Sequence, residues 1–587
     1  MKNISKLAFA AISCILLVQA CKKDNNSNNK GGGGGNTDTT TTIIPPTEPA
    51  IANTQGFFLD NWQAKTWVTP SSVAVTKPSS SGAITITVDL SKEITKVSNY
   101  IYGNNTNPFM GQISTDATLM GNITTLSPNI LRFPGGSLSD VYFWNQSSQA
   151  PADAPAQLLD DNGNASAAGY WFGNNTQPFT MTVDDYYTVL QQSGATGLIT
   201  INYGYARYGT SANPVAAAAH LAADWVRYDK GRTTYWEVGN EIYGTWEAGY
   251  RIDPTLNKDG QVQIQDGTTY GKHFQIFADS MRAAATEVGN TTIKIGVVLD
   301  GANDQNGASN GQVSNWNANV LAAENNSADF FVVHNYYTPY DVNSTPDVIL
   351  GSADPGTTQM MSWLKSSASA AGATQKPVAM DEYNIQSTGS AQMVSNIAGL
   401  HEVLVLGQVL TNQISMTARW DLANGWDNGD DMGMFSNSAP NESAEPGVAA
   451  WNPRPAFYYQ YYFQHMIGDH LVSTTSSNSG AVEAYGSSWS SGEAGVILVN
   501  KGSGIRVAKI NFANFAAGDK YYYYTLNGGI DNAPYSHKVY VNNVGPSGDS
   551  GGPTSFKTIA ASSAAISGGI VVSLPAYSAV FLVAEKK

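Results

Sequence analysis

From residue 101 to residue 420 the chain alternates short apolar runs of strand character with longer segments of helical pattern. The runs fall at 102–105, 129–133, 197–202, 235–241, 293–298, 330–334, 378–382 and 414–420. They are nearly continuous in apolar residues, which marks strands buried on both faces, and such strands need helices to cover them. The intervening stretches 215–228 and 271–288 carry Ala-rich helical patterns that supply the cover. Eight strand-like runs in this arrangement predict an α/β fold, a (β/α)8 TIM barrel, spanning 99–466.

The flanks are built differently. Residues 83–90 alternate apolar and polar side chains with period two, as a half-buried antiparallel strand does. After Pro453 and Pro455 comes a last helical stretch, 456–466, and then short alternating runs at 481–485, 495–499, 520–525, 569–574 and 579–583, separated by Gly and Ser turns. This pattern predicts an accessory antiparallel β-sandwich over 467–587. Strands within 56–98 are expected to join it, so that the barrel is inserted into the sandwich.

The N-terminus reads as an export signal. Lys2 and Lys6 precede an apolar run from Leu7 to Val18, too short to span a bilayer and of the proportions of a signal h-region. The following Leu17-Val18-Gln19-Ala20-Cys21 resembles the lipobox of bacterial lipoproteins. That resemblance implies removal of residues 1–20, acylation of Cys21, and a protein held on a bacterial membrane at its periplasmic or cell-surface face. Cys14, the other cysteine, lies inside the signal, so the mature chain has no internal disulfide. Residues 21–55, rich in Asn, Gly, Thr and Pro, read as a low-complexity tether. The formal net charge is −15, with Asp and Glu outnumbering Lys and Arg 46 to 31, which excludes a nucleic-acid partner that would need clustered cations.

Two of the strand-like runs end in acids. Run 235–241 closes on Asn240-Glu241 and run 378–382 on Asp381-Glu382. The C-terminal ends of barrel strands are where catalytic groups sit, because the strand holds the side chain rigidly while the loop beyond it varies. Two carboxylates presented from two strands are the equipment for cleaving a glycosidic bond.

The combination of Val238-Gly239-Asn240-Glu241, Asp381-Glu382-Tyr383-Asn384, Leu131-Arg132-Phe133-Pro134-Gly135-Gly136 and His334-Asn335-Tyr336-Tyr337 resembles the retaining glycoside hydrolases of clan A. Among these it is most similar to family 51, the α-L-arabinofuranosidases and some endo-β-glucanases, which likewise follow the barrel with a β-sandwich. The long loops at 160–177 and 253–268 depart from that likeness. The resemblance implies that Glu241 is the general acid/base and Glu382 the nucleophile, with their carboxyl groups about 5–5.5 Å apart. Glu241 is then expected to hold its proton near neutral pH, favoured by burial and by the negative charge of Glu382. Asn240 is expected to bind the sugar 2-hydroxyl, Arg132 and Tyr336 to hold Glu382, and His334 to support Glu241 or the sugar. Trp420 is a candidate stacking platform, as, less directly, are Trp144, Trp171 and Trp426. Each assignment has a structural rival: strand-end acids in ion pairs, an arginine tying the barrel base together, a histidine satisfied within the core.

Other chemistries lack residues or context. The seven histidines form no H-E-x-x-H pair. The G-x-S-x-G strings at 307–311 and 548–552 lie in loop-like stretches, not at the strand-to-helix turn a nucleophile elbow requires. Acidic residues at 427–431 lack EF-hand spacing and read as a solvated turn. No cofactor or metal is called for. The expectation is an exported hydrolase of plant or algal polysaccharide or its fragments, first an α-L-arabinofuranosidase. An endo-β-glucanase or xylanase-like enzyme and a non-catalytic glycan-binding lipoprotein are the alternatives.

Overall fold

The structure is a computed structural model that describes residues 43–302, 311–426, 431–529 and 535–587. The signal segment, Cys21 and the tether up to Thr42, together with 307–310 of the first G-x-S-x-G string and Asp427 to Asp430 of the acidic turn, lie outside the described residues.

Eight parallel strands close into a barrel in the predicted order: Gly103–Asn105, Ile130–Phe133, Thr196–Ile201, Tyr235–Val238, Lys294–Val298, Phe330–Tyr336, Val378–Asn384 and Met416–Arg419. Each is followed by a helix, and most helix starts are fixed by a side chain that accepts a hydrogen bond from a free backbone N–H. Asp116, Thr182, Asn213, Asp266, Thr345 and Ser395 do this. Proline at the first helical position starts Pro214–Asp229, Pro346–Ala371 and Pro455–Met466, where its missing N–H costs nothing.

The barrel interior is layered. Its lower part is apolar, with Ile130, Leu198, Tyr235, Phe330, Val332, Ala379, Met416 and Ala418 packed in one cluster. That cluster is completed from outside the barrel by Phe58, whose ring meets Tyr235 at 5.3 Å and Phe330 at 5.6 Å. Phe58 belongs to a segment that docks earlier than its composition suggests. Thr54 and Gln55, assigned to the tether, are buried: Gln55 Nε2 donates to Thr95 Oγ1 at 2.7 Å and to Ser415 Oγ at 2.9 Å, and Val378 N donates to Thr54 O at 2.8 Å. Few apolar residues suffice to order 43–55 because backbone and amide groups do the anchoring, a contribution that composition does not report.

The second layer is one eleven-stranded sheet that curls so that its strands share a core containing Val88, Val496, Ile510, Val572 and Leu582. As expected, the strand before the barrel belongs to it: Ile84–Lys96 lies between His470–Ser476 and Arg506–Ala513. The sheet is not wholly antiparallel. Ile84–Lys96 runs parallel to Arg506–Ala513, and Ser72–Ala74 parallel to Ala561–Ala565. Antiparallel pairing is enforced by hairpins between neighbours in sequence, and these partners are hundreds of residues apart. Helix Asn396–Thr411 is buried along almost its whole surface and is largely apolar all round, with His401, Glu402 and Gln408 as buried polar exceptions, because it is enclosed by its neighbours. Gly407 on this helix lies against the Tyr485 ring, where a Cβ would fall 2.2 Å from the ring carbon.

The Phe58→Ala substitution is expected to destabilise the protein by ~3–5 kcal/mol, the usual cost of emptying a buried aromatic site, while Val68→Ala, at a side chain 78% exposed, changes stability by less than ~0.5 kcal/mol. Denaturant midpoints for the two variants measure this, and equal midpoints would remove the N-terminal segment from the account of the barrel floor.

Candidate active site

Above the apolar floor, the inward-facing positions turn polar. Strand alternation places Arg132 two residues beyond Ile130, Thr200 beyond Leu198, Glu237 beyond Tyr235, and His334 and Tyr336 beyond Val332 on the same interior face. The seventh strand needs an additional device, because Asp381 and Glu382 are adjacent and should face opposite ways. A register irregularity between Met380 and Tyr383 re-aims the strand, and both acids reach the site.

Arg132 is fully buried, and its five N–H donors meet acceptors on four side chains. Its Nε donates to Glu237 Oε2 at 2.9 Å and its Nη2 to Glu237 Oε1 at 3.1 Å. Nη1 donates to Glu382 Oε2 at 2.8 Å and to Asn105 Oδ1 at 3.0 Å, and Nη2 also donates to Asn240 Oδ1 at 2.8 Å. Asp381 Oδ2 lies 3.4 Å from Nε. The other oxygen of Glu382 accepts from Tyr336 Oη at 2.8 Å. Arg132 thus contacts Glu382 from within the polar layer and not at the barrel base.

Glu241 stands just past the fourth strand. Gly239 at φ +84° and Glu241 itself at φ +45° take the left-handed region, a conformation that swings the acid across the barrel mouth and that non-glycine residues adopt at some cost. The turn is anchored from behind: Asp140 accepts from the backbone N–H groups of Asn240 at 3.0 Å and of Tyr203 and Gly204 at 3.1 Å. Burial pushes the Asp140 carboxyl up to about 8. Glu241 Oε1 accepts from Tyr243 Oη at 3.0 Å and lies 2.8 Å from His334 Nδ1, and Oε2 accepts from Trp246 Nε1 at 3.2 Å. His334 also reaches back, with Nε2 3.4 Å from Asp381 Oδ1 and Nδ1 3.7 Å from Glu382 Oε2. An oxygen of Glu241 and an oxygen of Glu382 lie within 4.8 Å of each other, with His334 within the same distance of both.

Four carboxyl groups, Glu237, Glu241, Asp381 and Glu382, therefore face two basic side chains, Arg132 and His334. Burial raises Glu237 to about 7, with Arg132 offsetting part of that. Burial raises Glu382 also, and the Glu241 charge adds to it, while His334, Arg132 and Tyr336 pull it back. Burial alone would lower His334, but Glu382, Asp381 and Glu241 together hold it well above the ordinary imidazole range. The expected raising of Glu241 is reversed. Burial favours its neutral form, yet the hydrogen bond and charge of His334, followed by Tyr243 and Trp246, outweigh it and keep the carboxyl below its ordinary value. The sequence could not weigh this because the deciding neighbour comes from the sixth strand.

Asn240 is buried, its amide engaged by Arg132 and by Glu247 Oε1, which accepts from Nδ2 at 3.0 Å. Trp420 follows the eighth strand with its ring over Gly136, where a Cβ would lie 2.6 Å from ring Cη2, so this turn requires glycine. Trp144 is a core residue, buried and stacked on Trp225 at 5.6 Å. Trp171 is half-buried in a two-stranded pairing with Tyr142–Phe143, and the Trp426 ring meets His537 at 5.9 Å and the Arg454 guanidinium at 5.7 Å. Asp431 is no solvated-turn residue: it is buried in an ion pair with Arg454, with Oδ2 accepting from Nη2 at 2.6 Å. The second G-x-S-x-G string lies in a loop of the sheet domain.

Sequence reading missed Glu237, Tyr243, Trp246 and Glu247. Glu237 carried a signal, since an acid inside a strand buried on both faces must have a cation across the barrel. The loop residues carried none, because their approach to Glu241 depends on its left-handed backbone.

Two carboxylates thus stand at the mouth of the barrel, Glu241 past the fourth strand and Glu382 on the seventh, with His334 within reach of both. A family model described as the alpha-L-arabinofuranosidase 1 domain matches residues 122–348. The fold is similar to the family 51 α-L-arabinofuranosidase of Thermotoga petrophila, at TM-score 0.57 and 16% identity over 86% of this chain and 100% of that one. It is similar to a family 51 α-L-arabinofuranosidase from Bifidobacterium longum, at TM-score 0.58 and 13% identity over 86% and 99% of the two chains. A family 44 xyloglucanase of Paenibacillus polymyxa gives TM-score 0.54 and 14% identity over 86% and 99%. No curated protein matches. At these identities the structural likeness establishes the fold, and with the family model it bears out the resemblance to family 51 glycoside hydrolases.

Removing the one guanidinium among these acids leaves buried charge uncompensated, so Arg132→Met is expected to cost ~3–5 kcal/mol of stability. Arg132→Lys recovers only part, because an ammonium cannot fork between Glu237 and Glu382. Denaturant unfolding of both variants tests this, and wild-type stability in Arg132→Met would show that the acids do not depend on it.

Proposed function

We propose that the protein is a retaining glycoside hydrolase in which Glu382 is the nucleophile and Glu241 the general acid/base. The observation that carries this reading is the approach of the two carboxyl groups, with oxygens within 4.8 Å. Retaining enzymes space these groups about 5–5.5 Å apart, whereas inverting enzymes need roughly 6.5–9.5 Å to admit a water between acid and base. In the first step an ionised Glu382 oxygen bonds to the anomeric carbon as the glycosidic C–O bond breaks, and Glu241 passes a proton to the departing oxygen. In the second, Glu241 takes a proton from water, whose oxygen displaces Glu382.

Arg132 and Tyr336 hold Glu382 in line for attack. His334 supplies the proton that Glu241 must deliver: its Nδ1 lies 2.8 Å from Glu241 Oε1, close enough for the pair to share one proton and pass it through Glu241 to the leaving group. This favours a catalytic role for His334 over a core histidine. Asn240 and Trp420 complete the sugar site.

The preferred substrate is an α-L-arabinofuranoside of plant or algal polysaccharide, in keeping with the family model matched over 122–348. Similarity to a family 44 xyloglucanase and to a bifunctional glucanase-xylanase supports an endo-acting β-glucanase as the second reading. The pairing of both acids with their donors speaks against a non-catalytic glycan-binding role. Cys21 is proposed as the lipid anchor on a bacterial membrane, its support being the lipobox-like sequence alone.

Hydrolysis of a panel of aryl α-L-arabinofuranoside, arabinoxylan, xyloglucan, β-glucan and agarose is expected to identify one substrate class. Glu241→Gln should lower the rate on it by about 10²–10⁴-fold, and Glu382→Gln should abolish turnover. NMR of the first-formed product should show retained anomeric configuration; inversion, or unchanged activity in either variant, refutes the mechanism, and sugar binding without any turnover would favour the glycan-binding role. The pH profile of kcat/KM gives a second test. The His334 cation lowers Glu382, so His334→Gln raises the nucleophile and moves the acidic limb upward. The same change removes the shared proton that persists to high pH, so the basic limb moves downward. A profile narrowed on both sides is the expected result, and unmoved limbs would exclude the proton-sharing pair.

A further inference from the structure

A second groove, of about 450 Å³, opens where barrel and sheet domain meet, and its size is within the roughly 300–1,000 Å³ range of ligand clefts. Its walls come from three places: the extended segment 65–70, the last turns of helix Pro455–Met466, and the sheet domain at Trp489 and 556–557. Gln464 in that helix donates through Nε2 to Leu126 O at 3.1 Å and Ser127 O at 3.4 Å, at the end of helix Ala117–Leu126 and just ahead of the second barrel strand. The groove therefore lies level with the entrance ends of the strands, whereas Glu241 and Glu382 stand at their exits.

Its lining has two marked properties. Trp67 meets Trp489 with ring centroids 5.2 Å apart, and Tyr461 meets Phe556 at 4.8 Å. Trp67, Tyr461 and Phe556 are half-buried, so ring surface remains for a ligand. The other property is charge. In a chain with 46 acids against 31 bases, the groove is lined by Lys65, His465 and Lys557 and, among the described residues, by no carboxylate.

These bases share one field. Lys65 Nζ donates to Gln464 O at 3.3 Å and Ile467 O at 3.4 Å, carbonyls at the end of the helix, and lies 5.8 Å from the centre of the Trp489 ring. An ammonium has three donors, so one is left without an acceptor among the described residues. Burial pushes Lys65 down to about 8, and Asp469 offsets only part of that. The Asp469 carboxylate is engaged elsewhere, accepting from the backbone N–H groups of Lys65 at 2.5 Å and Ser490 at 3.0 Å and lying 3.0 Å from His470 Nδ1. Burial also lowers His465, and the charges of Lys65 and Lys557 add to that lowering. Lys557 is exposed, with Nζ donating to Thr125 Oγ1 at 2.9 Å. Holding a helix C-terminus needs one cation; three bases converging with no acid between them leave charge for a ligand.

Aromatic faces take up the apolar C–H face of a sugar ring, and cations beside them select a ring that carries negative charge. We infer that this groove is a second, non-catalytic site for an anionic saccharide, its rings lying against Trp67 and Tyr461 and its carboxylate or sulfate groups at Lys65 and Lys557. The choice of a saccharide over other anions rests on the hydrolase reading above; the preference for negative charge does not.

The test is calorimetric binding by the full chain of an oligogalacturonate, a sulfated galacto-oligosaccharide and a neutral galacto-oligosaccharide of equal length, with phosphatidylglycerol vesicles as a fourth probe. At least one anionic oligosaccharide is expected to bind about tenfold more tightly than the neutral one, the effect of two exposed charge contacts. Lys557→Gln should weaken that binding about threefold to fivefold, with Lys557→Arg restoring it. Trp67→Ala should weaken it by about fivefold, in the range of one aromatic contact, with Trp67→Phe restoring most of the loss. Both losses should leave unchanged the rate on a short neutral substrate cleaved in the panel. Wild-type affinity in Lys557→Gln and Trp67→Ala, equal affinity for the neutral probe, or binding of neither anionic oligosaccharide overturns the site, and vesicle binding in place of saccharide binding assigns the groove to a membrane surface and overturns it as well. Cleavage of the panel without anionic binding sinks this inference alone, whereas anionic binding lost in the variants, with no panel member cleaved, leaves the groove standing and removes the hydrolase reading.

Discussion

The guanidinium of Arg132 is the contact on which the rest of the site depends. It is fully buried and forks between Glu237 and Glu382 while reaching Asn105 and Asn240, so it links side chains from the first, second, fourth and seventh strands. Carboxylates this deep would protonate or force the barrel open without a compensating cation. A planar, permanently charged fork satisfies several acceptors in fixed directions, which a point charge could not do. The interaction therefore neutralises the interior and sets the orientation of Glu382 at the same time.

Such a polar layer is sustainable only because the floor beneath it is sealed. The ring of apolar side chains from Ile130 to Ala418 excludes water from below, and Phe58 closes it from outside the barrel. The N-terminal segment reaches that position through the buried amide of Gln55 and continues into the sheet domain by way of the strand Ile84–Lys96. Barrel and sheet are thereby one packed body, joined further by the enclosed helix Asn396–Thr411.

The two acids differ in their circumstances. Glu382 is held by the fully buried Arg132 and by Tyr336 and sits near His334; burial raises it and those groups lower it. Glu241 lies at the rim, lowered by the His334 cation and two hydrogen-bond donors. The two carboxyl groups are thus drawn apart, Glu382 upward and Glu241 downward. Here His334 stands between them, within reach of both, and couples their protonation.

Much of this was legible in the order of residues. Apolar runs without alternation can only be strands covered on both sides, so eight of them with helical spacers determined the barrel. Period-two alternation in 83–90 likewise determined that this stretch belongs with the later sheet. Glu241 and Glu382 were legible because each ends such a run, and Arg132, His334 and Tyr336 because they stood in motifs beside them. What tertiary structure alone decided was which groups meet. The irregularity that turns both Asp381 and Glu382 inward, the left-handed backbone at Glu241, and the lowering of its carboxyl by a histidine two strands away all depend on distances between residues far apart in sequence. Local pattern fixes which face a side chain occupies, since that follows from the geometry of one strand; the charge balance of a site is a sum over neighbours from many strands, and only the closed barrel brings them together.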